Sequence, residues 1–295
     1  MVVGWTLPFA PLGVPLVDRD DAGAVMAARL DHLSHDLAMP ARLLLPLIPE
    51  HGAFAKALDR VLAGESRRYA AFGHHERALL APGSRREGYL ERAMSAGKRK
   101  ELRRQRRRLE DVAPVTFTTT RGAPDIEAAL KDFLVLEASG WKGLAGTAIV
   151  SEPSVKKFRA ERGRSARGRG TGADRPAVPQ RHRGRRHRDA GEREYRWCWK
   201  IAYNEGLARS SPGVQLICDL TESLLAAPGP ARVDSCAAAG HPMIDHVWRE
   251  RLALSDRLIA LRPSWLPFAL ACRIETLRRR AIAKAKAVRD RLRQR

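Results

Sequence analysis

The clearest chemical signal in the chain is the turn Ser-Ser-Pro-Gly-Val-Gln at residues 210–215. A helix is predicted to begin at Pro212, because proline at the first helical position lacks only an N–H that would be unpaired there. The amides and the positive dipole end of such a helix suit an anion, and the diphosphate of an acyl-CoA would fit. A capped turn in front of a buried helix explains the same residues, so both interpretations stay open.

Two candidate catalytic residues follow, around the end of a short predicted strand. Asp234 lies in the strand at 231–237 and His241 lies just beyond it, where layered α/β sheets place their ligands. Either side chain could relay a proton, and a structural carboxylate with a helix-capping His-Pro pair is the alternative. Cys236 has no partner at the spacing of a nucleophilic triad. The four cysteines form no Cys-x-x-Cys pair, which predicts a reduced chain with neither a zinc site nor a redox site.

Helices and strands alternate around these residues, which predicts an α/β fold with a layered sheet. Amphipathic or capped segments predict helices at residues 22–37, 52–65, 89–111, 123–139, 211–228 and 241–252. Apolar or alternating segments predict strands at residues 41–50, 115–120, 195–204, 231–237 and 254–261, with a strand pair at 66–82. Helical spacing predicts one apolar line at Leu90, Met94, Leu102 and Leu109, and an inward face at Ile126, Leu130, Phe133, Leu134 and Leu136.

The formal net charge of +21 is concentrated in three segments. Residues 97–111, 159–196 and 262–295 carry +5, +8 and +9, and the remainder carries −1. The basicity is therefore local and does not characterise the folded body. Residues 1–13 lack the basic start of a signal peptide, and no apolar run reaches the roughly 18 residues that span a bilayer. We expect a cytoplasmic protein.

The segment 159–196 contains thirteen arginines and no Leu, Ile, Phe, Met or Lys. An arginine-rich linker that binds nucleic acid is one explanation. A shifted reading frame is the explanation we favour, because almost every residue here has a GC-rich codon. Codons taken one nucleotide later allow two apolar, strand-like runs separated by an Asn-Gly turn, which is a hairpin signal. As written, the segment is predicted to lack packed structure, because its hydrophobicity is low and its charge is high.

Four stretches together resemble the acyltransferase domain of the GNAT superfamily, in the form found in bacterial CelD-like cellulose-biosynthesis proteins and related to the FemAB peptidyltransferases. They are KRKELRRQRRRLED at 98–111, FLVLEASGWKGLAGTAI at 133–149, WCWKIAYNEGLARSSPGVQLICDLTESLL at 197–225 and DSCAAAGHPMIDHVWRERLAL at 234–254. The resemblance covers about residues 12–261 in the family's order. It fails at 159–196, where the family has a helix and two strands.

This resemblance implies a GNAT-like layered mixed sheet flanked by helices. It implies two lobes at residues 1–95 and 96–262, the first one truncated, followed by a basic helical tail at 263–295. It also implies acetyl-CoA or another acyl-CoA as co-substrate, a small or polysaccharide-related amine or hydroxyl acceptor, and no metal. The same resemblance assigns the turn as coenzyme contacts, through Ser211, Pro212, Gly213, Val214 and Gln215.

The tail places seven apolar residues on one helical stripe with basic residues around it: Leu270, Ile274, Leu277, Ala281, Ala285, Val288 and Leu292. Such a helix could lie on an anionic membrane surface, dock on another helix, or fray. The predicted function is an acyl-CoA-dependent N- or O-acyltransferase, and a non-enzymatic basic protein that binds nucleic acid or membrane surfaces is the alternative. Nucleic acid is not an expected partner, because a frame shift would account for one of the three cationic segments. That shift would also remove two central strands and leave the chain as written inactive.

Overall fold

A computed structural model describes residues 1–6, 11–120, 123–153, 195–228 and 232–293. Its strands form one mixed sheet in the order β1-β2-β6-β3-β5-β4. The strands are β1 Val2–Val3, β2 Arg42–Pro49, β3 Tyr69–Leu80, β4 Tyr195–Trp197, β5 Arg232–Asp234 and β6 Glu250–Ala260. The α-helices are α1 Ala22–His35, α2 Ala53–Gly64, α3 Tyr89–Ala93, α4 Ala96–Glu110, α5 Ala123–Ser139, α6 Trp141–Leu144, α7 Pro212–Ala226 and α8 Phe268–Arg293. The predicted α/β class is therefore confirmed as a mixed sheet with helices packed on it.

The first of two compact units comprises residues 1–77, 238–240 and 251–295. Strand β1 pairs parallel with β2, and β2 pairs antiparallel with β6. Helices α1 and α2 cover this part of the sheet because their apolar faces are buried in one core with it: Met26, Leu30, Leu43, Leu45, Ile48, Leu58, Leu62, Ile259 and Leu261. The β2–β6 register shifts between Leu45 and Ile48, and there the Leu47 N–H donates to Asp256 Oδ1 at 2.8 Å.

The second unit comprises residues 78–237 and 241–250. The predicted apolar line on the basic helix is confirmed, since Leu90, Met94, Leu102 and Leu109 are all buried. The line is carried by two helices rather than one, because the Ser95 side chain caps α4 by accepting the Lys98 N–H at 3.2 Å. The fully buried Trp248 lies in the same core as Leu102 and Ile217 of α7.

Several predicted elements are wrong in type. The segment 115–120 contains no strand, since the β propensity of Val and Thr has an effect only where a partner strand is present. The strand pair at 66–82 is the single strand β3, in which Gly73 takes a left-handed φ of 63° without reversing the chain. The helix at 241–252 is a short 3-10 turn, Ile244–His246, followed by β6.

Helix α5 is confirmed, but its predicted inward face is only partly correct. Ile126 and Leu130 are 47% and 46% exposed, and only the last turns of the helix approach the core. The predicted strand at 195–204 is confirmed only as β4, so the expected lack of structure in 159–196 is wrong for Tyr195 and Arg196. The rest of that expectation, with the frame-shift prediction, lies outside the described residues.

The compact units divide the chain differently from the predicted lobes. The boundary falls between Arg77 and Ala78, inside β3, rather than at 95/96, and the tail at 263–295 belongs to the first unit. Helices α3 and α4 contribute Leu90 and Leu102 to the core of the second unit, and the division into two GNAT-like lobes stays a prediction. Within the described ranges, every helix is too short or too polar to cross a bilayer.

Candidate active site

The predicted start of α7 is confirmed at Pro212. A 3-10 helix, Glu205–Ser210, leads into it, and the Asn204 side chain caps that turn by accepting the Gly206 N–H at 3.0 Å. Ser211 is the N-cap residue of α7 and takes a left-handed conformation with φ 50° and ψ 48°. Its hydroxyl makes no capping hydrogen bond. The chain therefore turns sharply onto the helix and leaves the Ser211 side chain without a structural role at the cap.

Few amides of this turn remain for a ligand. The Ser211 N–H donates to the Ala208 carbonyl at 3.0 Å, and the Val214 and Gln215 N–H groups both donate to the Ser211 carbonyl, at 3.0 and 3.1 Å. Proline has no N–H. Among residues 211–215, these bonds leave the Gly213 amide as the backbone donor for an anion, supported by the helix dipole.

Gly213 is buried against two side chains of the same unit. A Cβ added there would lie 3.1 Å from Met243 Sδ and 3.6 Å from Tyr203 Cδ1. The first distance is tighter than an ordinary carbon–sulfur contact, so a larger residue would displace Met243. Packing therefore favours a glycine at position 213. This reason is different from the close approach of a phosphate to the backbone.

The side chains of the next two residues point into the protein. Gln215 is buried and its Nε2 donates to the Leu102 carbonyl at 2.8 Å, which ties α7 to α4. Val214 packs against the core of the second unit. Of the five predicted coenzyme contacts, the side chains of Val214 and Gln215 are therefore occupied structurally, and Ser211, Pro212 and the Gly213 backbone remain for a ligand.

Asp234 and His241 both make local structural bonds. Asp234 is fully buried at the end of β5, and its Oδ1 accepts the Cys236 N–H at 2.9 Å. That bond supports the left-handed backbone of Cys236, whose φ is 52°. The ring Nδ1 of His241 accepts the Met243 N–H at 3.3 Å. These contacts match the structural alternative for both residues, and their role in proton transfer stays a prediction.

An ion cluster of the buried Glu137 with the partly buried Lys142 and Lys200 was missed by the sequence reasoning. Glu137 Oε1 accepts a hydrogen bond from Lys200 Nζ at 2.7 Å and lies 3.7 Å from Lys142 Nζ. Its Oε2 accepts the Ile149 N–H at 2.9 Å. The carboxylate side chain is completely buried. A signal did exist in the sequence, because Glu137 stands among the inward-facing apolar residues at the end of α5.

The environment shifts the pKa values of this cluster. Burial lowers the pKa of the Lys142 amine, the Glu137 carboxylate opposes that effect, and the positive charge of Lys200 adds to it. Burial acts to raise the pKa of Glu137, but the hydrogen bonds from Lys200 and from the Ile149 amide outweigh it and the pKa is lowered. The cluster therefore combines a carboxylate that stays ionised with an amine that loses its proton more easily than usual.

Lys142 faces a small depression next to the start of α7. The depression is lined by Glu137, Trp141, Lys142, Tyr203 and Glu205 among others. Its rim is fixed by Glu205, whose Oε1 accepts the Trp141 N–H at 2.6 Å. Tyr203 also lies beside Gly213. Tyr203 thus lines the depression together with Lys142, and its ring also lies beside the first turn of α7.

Within the described parts of the chain, no three His, Cys, Asp or Glu side chains come together as a metal site. Comparisons with protein families, with curated proteins and with solved structures find no match to this chain.

Proposed function

We propose that the chain is an acyl-CoA-dependent N- or O-acyltransferase of the GNAT type. The observation that carries this proposal is the position of Tyr203, which lies beside Gly213 in the first turn of α7 and lines the same depression as Lys142. The GNAT-like sequence stretches point to the same chemistry. An acyl-CoA would place its diphosphate at Gly213 and its thioester near Tyr203.

In this reaction the acceptor nitrogen or oxygen attacks the thioester carbonyl, a new C–N or C–O bond forms, and the C–S bond breaks. The acceptor loses a proton and the coenzyme thiolate gains one, so the reaction needs a group that carries a proton between them. Lys142 fits this task because burial lowers the pKa of its amine. We assign it as the candidate base, with Glu137 and Lys200 as positioning residues.

Asp234 and His241 fit a supporting role in this proposal. Asp234 is completely buried, so an acceptor could not reach its carboxylate directly. The bond from the Met243 amide to His241 holds the segment that carries Met243 against Gly213. Both residues would then maintain the walls of the site without touching the reacting atoms.

The test is acetyl-CoA binding by isothermal titration, followed by release of coenzyme thiol with glucosamine and with a simple alkylamine as acceptors. The Lys142→Met variant should bind acetyl-CoA like the parent and lose thiol release by about 100-fold or more, since about 100-fold is the lower end of the range for a general base. Lys131→Met is the matched control, because Lys131 is a lysine on α5 that is 69% exposed and forms an ion pair with the exposed Glu127. Absence of acetyl-CoA binding to the parent chain would overturn the proposal.

A further inference from the structure

Helix α8 exposes an apolar stripe that no part of the described chain covers. Leu270, Ile274, Leu277, Val288 and Leu292 are between 45% and 68% exposed. At 3.6 residues per turn they share one face with Ala281 and Ala285, which are also exposed. Water-facing leucine and isoleucine along a whole helix face mark an interaction surface rather than ordinary surface variation.

The opposite face of α8 is the one that anchors the helix to its own unit. Ala271 and Glu275 are buried. Arg279 donates to Glu275 Oε1 at 2.6 Å and to Asp256 Oδ2 of β6 at 2.7 Å. Beyond this anchored part, residues 281–289 are all exposed. The fold therefore fixes the direction of the stripe, away from the body, and leaves the second half of the helix projecting.

Basic residues border the stripe along both edges. With 3.6 residues per turn, Arg273, Arg280, Lys284 and Arg291 fall on one side of it and Arg278 and Arg289 on the other. The sequence of α8 contains only Glu275 and Asp290 as acids, and Glu275 is engaged with Arg278 and Arg279 on the anchored side. Just before the helix, Trp265 is 92% exposed, and tryptophan is a side chain that favours the headgroup region of a bilayer.

We propose that α8 binds the surface of an anionic lipid bilayer, with its apolar stripe inserted among the acyl chains and its basic edges at the headgroups. This arrangement accounts for both features, since buried apolar area and attraction to anionic lipid act together in such helices. A second copy of the helix fits less well, because stripe-to-stripe packing would bring basic edges together. A nucleic-acid partner would bind the basic edges but leave the leucines of the stripe exposed to water. The residues of α8 are different from those of the proposed acyltransferase site, so lipid binding does not depend on that site.

The experiment is flotation of the full chain with lipid vesicles of two compositions. One set is phosphatidylcholine alone, and the other contains about 30 mol% phosphatidylserine, which supplies the negative surface potential. We expect binding to the anionic vesicles at least about tenfold stronger than to the neutral ones, and weakening at high salt because screening removes the attraction. Equal binding to both compositions, or binding to neither, would overturn the proposal.

A pair of double variants isolates the stripe without changing the charge. Leu277→Gln with Val288→Gln removes two apolar residues of the stripe, and Ala283→Gln with Ala287→Gln places the same polar residues on an exposed face away from it. The stripe variant should lose at least about tenfold in vesicle binding, since each buried apolar side chain adds to the affinity, while the control stays within about twofold. All four positions are exposed, so circular dichroism should show both variants folded like the parent.

Two further measurements give results that would refute the bilayer as the partner. A dimer in sedimentation velocity that dissociates in the stripe variant, with no vesicle binding by the parent, would assign the surface to a second copy. Binding of a nucleic-acid duplex that is unaffected in the stripe variant, again without vesicle binding, would assign the basic edges to phosphate.

Discussion

A single added charge at Ser211 would test whether the start of α7 holds an anionic coenzyme. Ser211→Asp and Ser211→Asn are nearly identical in shape and differ by one negative charge. Both residues tolerate the left-handed conformation that Ser211 adopts at φ 50°. The Ser211 hydroxyl makes no capping bond, so neither change removes a contact at the cap. Both variants should therefore fold, and the aspartate at a helix N-terminus should be slightly the more stable, by about 0.3–1 kcal/mol.

The effect on coenzyme affinity should have the opposite sign. A helical turn is about 5.4 Å long, so a diphosphate on the first turn of α7 would lie about 6 Å from a carboxylate at position 211. Coulomb's law at that distance gives about 0.7 kcal/mol per unit charge at the dielectric constant of water and about 3 kcal/mol at an effective constant of about 20. The dissociation constant for acetyl-CoA should thus rise about 3- to 100-fold in Ser211→Asp relative to Ser211→Asn.

Isothermal titration at low salt measures this difference, and S-acetylpantetheine serves as the control ligand because it carries the thioester without phosphates. We expect the two variants to bind the control ligand equally. Equal affinity of the two variants for acetyl-CoA would refute the placement of the diphosphate at this turn, even if the parent binds the coenzyme. The acyltransferase proposal would then need a different coenzyme site.

The ion cluster, the packing at Gly213 and the arginine-rich segment can each be tested by one measurement. Glu137→Gln should destabilise the fold by about 3 kcal/mol at neutral pH, because it leaves the partly buried Lys142 and Lys200 without a counter-charge. The pKa of Glu137 in the folded protein is lowered below its ordinary value of 4.5. The ionised carboxylate therefore stabilises the parent fully above pH 4.5, and this stabilisation is lost as the pH falls through the lowered pKa. The free energy of unfolding of Glu137→Gln, measured with denaturant, should not show this loss. Gly213→Val should lower the melting temperature by steric overlap with Met243, and Met243→Ala in the same chain should restore part of it. The coding DNA for residues 155–200 should show compensating insertions or deletions relative to intact relatives, and relatives encoding the same arginine run in frame would contradict this.

The pH dependence of catalysis provides a check on Lys142. Because burial lowers the pKa of its amine, the rate of thiol release should rise with pH through a value below the ordinary lysine pKa of 10.5. Lys142→Met should lose this rise and Lys131→Met should keep it. Titration of the acceptor amine is common to both variants and cancels in the comparison. A rise that persists unchanged in Lys142→Met would exclude the residue as the base.

The local sequence was sufficient to predict the features that interactions between neighbouring residues determine. Proline at a first helical position placed the start of α7 at Pro212. The spacing of Leu102 and Leu109 identified the buried line of α4, because that periodicity reports one helix face. The same argument located the apolar stripe of α8 residue by residue. It could not say which way the stripe faces, since that depends on the bonds from Arg279 to Asp256, far away in the sequence.

Contacts between residues far apart in the sequence determined the charge pairing, the burial and the packing that could not be predicted. Lys200 reaches Glu137 across 63 positions of the chain, and no periodicity predicts which buried acid a distant lysine will neutralise. Ile126 and Leu130 have the spacing of a core face yet are exposed, because burial requires a neighbouring element and not only an amphipathic pattern. The packing of Gly213 could not be predicted either, since only the folded chain brings Met243 and Tyr203 against it; its predicted contact with the coenzyme stays a prediction. Local propensities act over one or two turns, whereas burial and charge pairing arise from segments that meet only after the chain has folded.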